Sequence, residues 1–406
     1  MFKRKSFSSG AIIGFLVVFI VLSVGLIGCS SGAAGGLGNT ANDPLDNGEE
    51  QPPPLVEGWV LPVVVSITGS ESELGFVAAW GFDYGVKVIN EQGGIRGVPV
   101  SITIRDVASD NTKTSNEVAA VADDALIIVG PPTESQYKAG ERVFFNAGMP
   151  AVGAATDSDN RETFQPFAIS CISDPGSAAQ SATEEWIEGE KFTSAYMLYS
   201  PENQERSEYV EKALKSGGIQ VIENVSLGSD AFNAVFVAEK AIESGAEAFY
   251  IDTSFENSLR IVEQLKLISN GTGKQAILCG PQAADPGLLE ADENGDMIGV
   301  SVWTSLDLSK DNEKRKAFND AFNKNIESPE LYSIAVDYYQ SAIMLKQAID
   351  TLGLSGSQAD LASEREKLAN YLFNTEVITT DQGDFIIESG SKHLLAKLYK
   401  ITENGF

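Results

Sequence analysis

The sequence predicts an α/β protein of two lobes, each a parallel sheet with helices on both faces. Three observations carry this. Short β-branched runs alternate with amphipathic segments of helical period, the rhythm of βαβ units. The rhythm runs from about Trp59 to Ile169 and starts afresh near Ser170. The 406 residues, 43% hydrophobic and 21% charged, exceed one ordinary domain and suit two cores.

Residues 60–67 (VLPVVVSI) form a run suited to a buried strand. Ser70 and Glu73 have the spacing of a capping box ahead of a helix. That helix puts Leu74, Val77, Trp80, Tyr84 and Val88 at helical spacing and stops at Gly93-Gly94. Residues 98–106 alternate as a strand, a polar helix covers about 112–124, and 125–130 is a short buried strand. A helix over about 135–147 and the strand PAVGA (150–154) follow. In the second cycle, strands are expected at 193–200, 219–227, 247–252 and 275–280, with helices at 202–218, 231–246 and 255–268 between them. The tail adds helices at 313–324 and 330–353, the second with Tyr332, Ala335, Val336, Tyr339 and Ile343 on one face, then a further helix. GDFIIES (383–389) and HLLAKLYKI (393–401) read as strands joined by Gly390.

The amino terminus reads as a targeting segment. Lys3, Arg4 and Lys5 precede an uncharged stretch over 11–28, the order of a secretory signal peptide. The apolar run is long, so an uncleaved membrane anchor competes. Leu26-Ile27-Gly28-Cys29 resembles a bacterial lipobox, which implies lipidation of Cys29 and removal of a signal peptide at 1–28. Two acyl chains anchor far better than one. Residues 29–58, rich in Gly, Ser, Asn, Pro and acids, read as a disordered stalk. The net charge of -28 argues against nucleic acid and against a basic face for anionic lipid.

Chemistry-bearing motifs are scarce. The single histidine, His393, sits in SGSKHLL and reads as an exposed turn residue, without partners for zinc or a triad. Cys171 and Cys279 fall in apolar strands and read as small hydrophobes; a disulfide between them stays open in an exported protein. NGTGKQ (270–275) lacks the leading glycine and the hydroxyl of a P-loop and reads as a turn. DENGDM (292–297) has Met297 where a calcium loop needs glycine and Trp303 where it needs glutamate, so it reads as a solvated acidic turn. The expectation is a binding protein and not an enzyme, with no cofactor and no metal.

Several segments together resemble the branched-chain amino-acid binding proteins. They are GFDYGVKVINEQGGIRGVPVSITIRDVASD, ALIIVGPPTES, MPAVGAATD, SGAEAFYID, ILCGPQA and the closing GDFIIESG with LYKITENG. The resemblance implies a type I periplasmic solute-binding protein: two Rossmann-like lobes joined by three crossings. Lobe one would comprise 59–169 and 303–375, and lobe two 170–302 and 376–406. It implies ligand in the cleft at the carboxyl ends of the strands, where open α/β sheets bind.

The implied site residues carry over position by position. The hydroxyl that holds a ligand carboxylate falls on Glu134, or on Ser135 after a one-residue slip. The Ala-x-Thr pair is present as Ala154 and Thr156, flanking Ala155. Gln282 stands where an acid usually meets the ligand ammonium, and Gln204 where an aromatic is usual. Thr253 and Ser254, ahead of Phe255, occupy another aromatic's loop, and Leu74 a tyrosine's place. The implied partners are a small polar solute, most simply an amino acid or derivative, an ABC permease with its ATPase, and the membrane through the lipid anchor. A ligand-sensing module of the same fold, without transport, is the alternative.

Overall fold

The computed structural model describes residues 58–228, 233–269, 275–284, 292, 294–306, 308 and 313–403. The leader, Cys29, nearly all of the stalk and most of the NGTGKQ motif lie outside them. No described helix is long and apolar enough to cross a membrane.

The first cycle comprises β1 (Trp59–Val65), α1 (Ser72–Glu91), β2 (Val100–Asp106), α2 (Asn111–Val121), β3 (Ile128–Val129), α3 (Glu134–Asn146), β4 (Ala151–Gly153), α4 (Ser158–Thr163) and β5 (Ala168–Ser170). Its strands form a parallel sheet in the order β2-β1-β3-β4-β5. The second comprises β6 (Ser173–Asp174), α5 (Pro175–Glu190), β7 (Ser194–Tyr199), α6 (Gln204–Ser216), β8 (Gln220–Ser226), α7 (Ala234–Glu243), β9 (Ala248–Asp252), α8 (Phe255–Ile268), β10 (Ala276–Cys279) and β11 (Ser301–Thr304). The tail contributes α9 (Glu313–Asn325), α10 (Tyr332–Leu352), α11 (Leu361–Phe373), β12 (Ile378–Thr380), β13 (Gly383–Glu388), β14 (Ser391–Leu394) and β15 (Lys397–Lys400). A six-stranded sheet runs β15-β11-β10-β9-β7-β8, with only β15 antiparallel. A third sheet, β12-β13-β14-β6, joins the first and last crossings between the two large sheets. This is the two-lobe α/β fold the sequence predicts.

Helix α1 is buried on two sides. Ala78, Phe82, Val86 and Ile89 join Leu61, Val63 and Val65 in the core of the first sheet. Val77, Trp80, Tyr84 and Val88, on the face expected from spacing, pack instead on Phe318, Phe322 and Tyr339 of α9 and α10. A Cβ on Gly81 would lie 2.2 Å from the Ala335 carbonyl oxygen, so glycine lets α1 and α10 close together.

Several local expectations need correction. The capping box does not form: α1 begins at Ser72 with Glu71 as its N-cap and no side-chain cap bond. The Glu71 carboxylate is drawn instead to Thr133 and Gln136. His393 is not an exposed turn residue; it lies within β14, half-buried, in register with Asp174 of β6. HLLAKLYKI is two strands, because β14 pairs with β13 and β6 while β15 crosses to β11. Met297 is fully buried, and Asp292 accepts from the amides of Asp296 and Met297, so that turn is pinned to a core. Cys171 and Cys279, by contrast, are buried and free of a disulfide, as expected of small hydrophobes, and burial pushes both thiols up, that of Cys171 to about 12. Two placements bear on the lobe division: β11, drawn across position 303, belongs wholly to the second sheet, and Ile378, Phe385 and Ile387 of β12 and β13 join the first core.

Glu141 on α3 is 5% exposed, and burial raises its carboxyl to about 7. Below the unfolded value near 4.5 the group costs nothing, and the cost grows until pH passes the folded value. Glu141→Gln should therefore stabilise by about 1–3 kcal/mol at pH 8 and change little at pH 4, read from urea melts at the two pH values.

Candidate functional site

Both large sheets end, at the carboxyl termini of their strands, in loops dense with polar side chains. On the first sheet the loops follow β1, β3 and β4. The β1 loop is anchored by Asp106, which accepts from the amides of Ile67, Thr68 and Ala108 and from the Thr68 hydroxyl. Partial desolvation opposes these bonds, yet together they hold its carboxyl down at about 2. Gly130, at φ +89°, lets the end of β3 press on β1: a Cβ there would lie 2.2 Å from the Val64 carbonyl oxygen.

Within this wall Ser66 Oγ accepts from the Ser109 amide and from Gln136 Nε2, both at 2.9 Å. The same Gln136 nitrogen donates to Glu71 Oε2, which also accepts from Thr133 Oγ1 at 3.3 Å. Gln136 is 1% exposed, and its Oε1 has no hydrogen-bond donor among the described residues. Next to it, Thr156 Oγ1 donates to Glu134 Oε2 at 2.8 Å. Lys138 bridges Glu134 and Asp157, and Asp157 caps α4. The Lys138 ammonium, then the Thr156 hydroxyl, hold the Glu134 carboxyl below its ordinary value. Arg161 donates to the carbonyls of Ala155 at 2.6 Å and Thr156 at 2.8 Å, and burial is the main influence lowering its pKa.

On the second sheet the loops follow β7, β9 and β10. Asp252, fully buried at the end of β9, receives Arg206 Nε at 2.6 Å, the second Arg206 nitrogen at 2.8 Å and the Tyr250 hydroxyl at 2.9 Å. Its carbonyl accepts from Asn203 Nδ2 and from the Ser200 amide. The Arg206 guanidinium lies 5.9 Å from the centre of the Trp303 ring. Burial, then the Asp252 charge, push the Tyr250 hydroxyl well above its ordinary value. A Cβ on Gly280 would meet Asp252 Oδ1 at 2.2 Å, so the β10 loop needs glycine to clear the carboxylate.

The residues expected from sequence fall as follows. Glu134, Thr156 and the buried backbones of Ala154 and Ala155 come together in the first wall. Ser135 is exposed on the first turn of α3. Gln204 is exposed and donates along α6 to Glu208. Thr253 is buried, its hydroxyl 2.9 Å from that of Ser258, and Ser254 caps α8. Gln282 is exposed in the short turn after β10. Sequence reasoning missed Glu71, Gln136, Arg206 and Asp252. No metal-binding group of His, Cys, Asp and Glu occurs among the described residues.

Such polar loops at strand ends suit capture of a small solute. The model of the family described as periplasmic binding protein matches residues 59–385. A structure from Rhodospirillum rubrum, provisionally assigned as a branched-chain amino acid ABC transporter, is 17% identical, with 86% of this chain and 99% of that one covered and a TM-score of 0.62. An ABC transporter substrate-binding protein from Sphaerobacter thermophilus is 14% identical, with 86% and 95% covered and a TM-score of 0.53. No curated protein matches the sequence.

Proposed function

This chain belongs to the periplasmic binding protein family, and on that premise we propose that it is an extracytoplasmic substrate-binding protein of an ABC importer. It captures a small polar solute, an amino acid or a related compound, between its two lobes and passes it to a membrane permease driven by an ATPase. The observation that supports this reading most is the gathering of hydroxyls, amides and charges at the carboxyl ends of both large sheets, where Glu134, Thr156, Arg206 and Asp252 lie. Residues 1–28 are removed as a signal peptide, and acylated Cys29 tethers the body through the stalk. The ligand list from sequence, Glu134, Ser135, Ala154, Ala155, Thr156, Gln204, Thr253, Ser254 and Gln282, gains Glu71, Gln136 and Arg206.

Binding acts by population shift: solute that touches both lobes favours the closed arrangement by its differential affinity for it. The test is a thermal-shift screen of the full chain against amino acids, amides, urea and polyamines. A ligand at 100 times its Kd should stabilise by about 2.7 kcal/mol. A flat response to the whole panel would contradict the reading.

A further inference from the structure

We infer that the first lobe receives a cationic group of the solute, and that Glu71 is the residue that selects it. The inference rests on the solute-binding reading and narrows its substrate class to compounds carrying an ammonium, amidinium or guanidinium.

The side-chain donors that reach Glu71 and Glu134 are already committed to those carboxylates and their neighbours, whereas Arg161 Nε is buried without an acceptor among the described residues. Thr133 Oγ1 donates to Glu71, and Thr156 Oγ1 donates to Glu134. Gln136 Nε2 is shared between Ser66 and Glu71. Lys138 is held by Glu134 and Asp157, and Arg161 by two backbone carbonyls. A solute carboxylate brought to this wall meets three carboxylates, Glu71, Glu134 and Asp157, against two cations, Lys138, held by two of those carboxylates, and Arg161, turned through its terminal nitrogen onto two backbone carbonyls. The excess negative charge of this set disfavours it.

Beside Glu71 it is acceptors that are in surplus. Gln136 Oε1 is buried, on a side chain bonded to Glu71, with no donor among the described residues. Leaving a buried carbonyl without a donor is costly, and a group with several N–H bonds is what relieves it. Glu71 is only half-buried, where the β1 loop meets α1, and its Oε2 takes both neighbouring side-chain bonds. A half-buried carboxylate bonded to a side chain whose own carbonyl is orphaned is the donor-hungry arrangement that a charged nitrogen fits.

The test uses four probes of one chain length on the full protein: pentane-1,5-diamine, 5-aminopentanoate, pentanoate and glutarate. The two amines should raise the melting temperature, and the two purely anionic compounds should not. Glu71→Gln should weaken binding of the amines by about tenfold or more, the loss of a charge-assisted bond. Stabilisation by pentanoate or glutarate without the amines would overturn the inference, as would unchanged amine affinity in Glu71→Gln. The wild-type series needs no variant, so a misfolded Glu71→Gln does not blunt it. Silence from all four probes while a solute without a cationic nitrogen binds would sink the inference and leave the solute-binding reading standing. Silence across the wider screen as well would remove both.

Discussion

Arg206→Met is expected to destabilise the protein by about 3–5 kcal/mol, because it strands a buried charge. Asp252 has no exposed side-chain surface, and two of its three side-chain donors come from one guanidinium. Methionine keeps much of the stem against Trp303 but leaves Asp252 with the Tyr250 hydroxyl alone. The cost comes from the orphaned carboxylate rather than from lost attraction, since burying an ion pair gains little in itself. Asp252→Asn in the Arg206→Met background should therefore recover a large part of the loss. Urea denaturation of the two variants checks this; equal midpoints for Arg206→Met and wild type would show that the pair does not carry the strand end.

Lys392→Met should cost a similar amount, about 3–5 kcal/mol, at the crossings between the lobes. Lys392 is 1% exposed; its ammonium donates to Asp337 at 2.7 Å and to Gln340 at 2.6 Å, and lies 4.7 Å from the centre of the Phe385 ring. Asp337 also accepts from the hydroxyl and the amide of Ser173. Ser173 and Lys392 are register partners in β6 and β14, the strands of the first and third crossings. One buried carboxylate on α10 thus fastens both crossing strands. Removing the ammonium leaves that carboxylate with only the Ser173 donors, so the global midpoint should fall. Adding Asp337→Asn should restore part of it, as expected for coupled partners. Additive losses in the double variant would argue that the two residues act separately.

Much of the architecture is legible in sequence because it follows from period and stop signals. The helix expected at 255–268 is α8 to the residue, where a capping serine and a regular apolar stripe agree. Helix α5 is harder: Asp174 caps it and proline opens it, but its buried face runs through Ala178, Ala179, Ala182 and Thr183 before the one large apolar residue, Trp186, so no stripe stands out. The split of 393–401 is invisible locally, since only pairing with β13 and β6 on one side and β11 on the other separates the halves. The site divides in the same way. Glu134 and Thr156 lie on loops whose motifs can be read, and they meet at 2.8 Å. Glu71 reaches partners 62 and 65 positions away, and Arg206 reaches Asp252 across 46, so no local pattern announces either cluster. Lone polar residues in loops look alike until the topology brings strand ends together.

Small-angle scattering of the full chain, with and without a solute that passes the thermal screen, is the most direct test of capture between lobes. Closure predicts a smaller radius of gyration at saturating solute. A profile unchanged at saturation would contradict it.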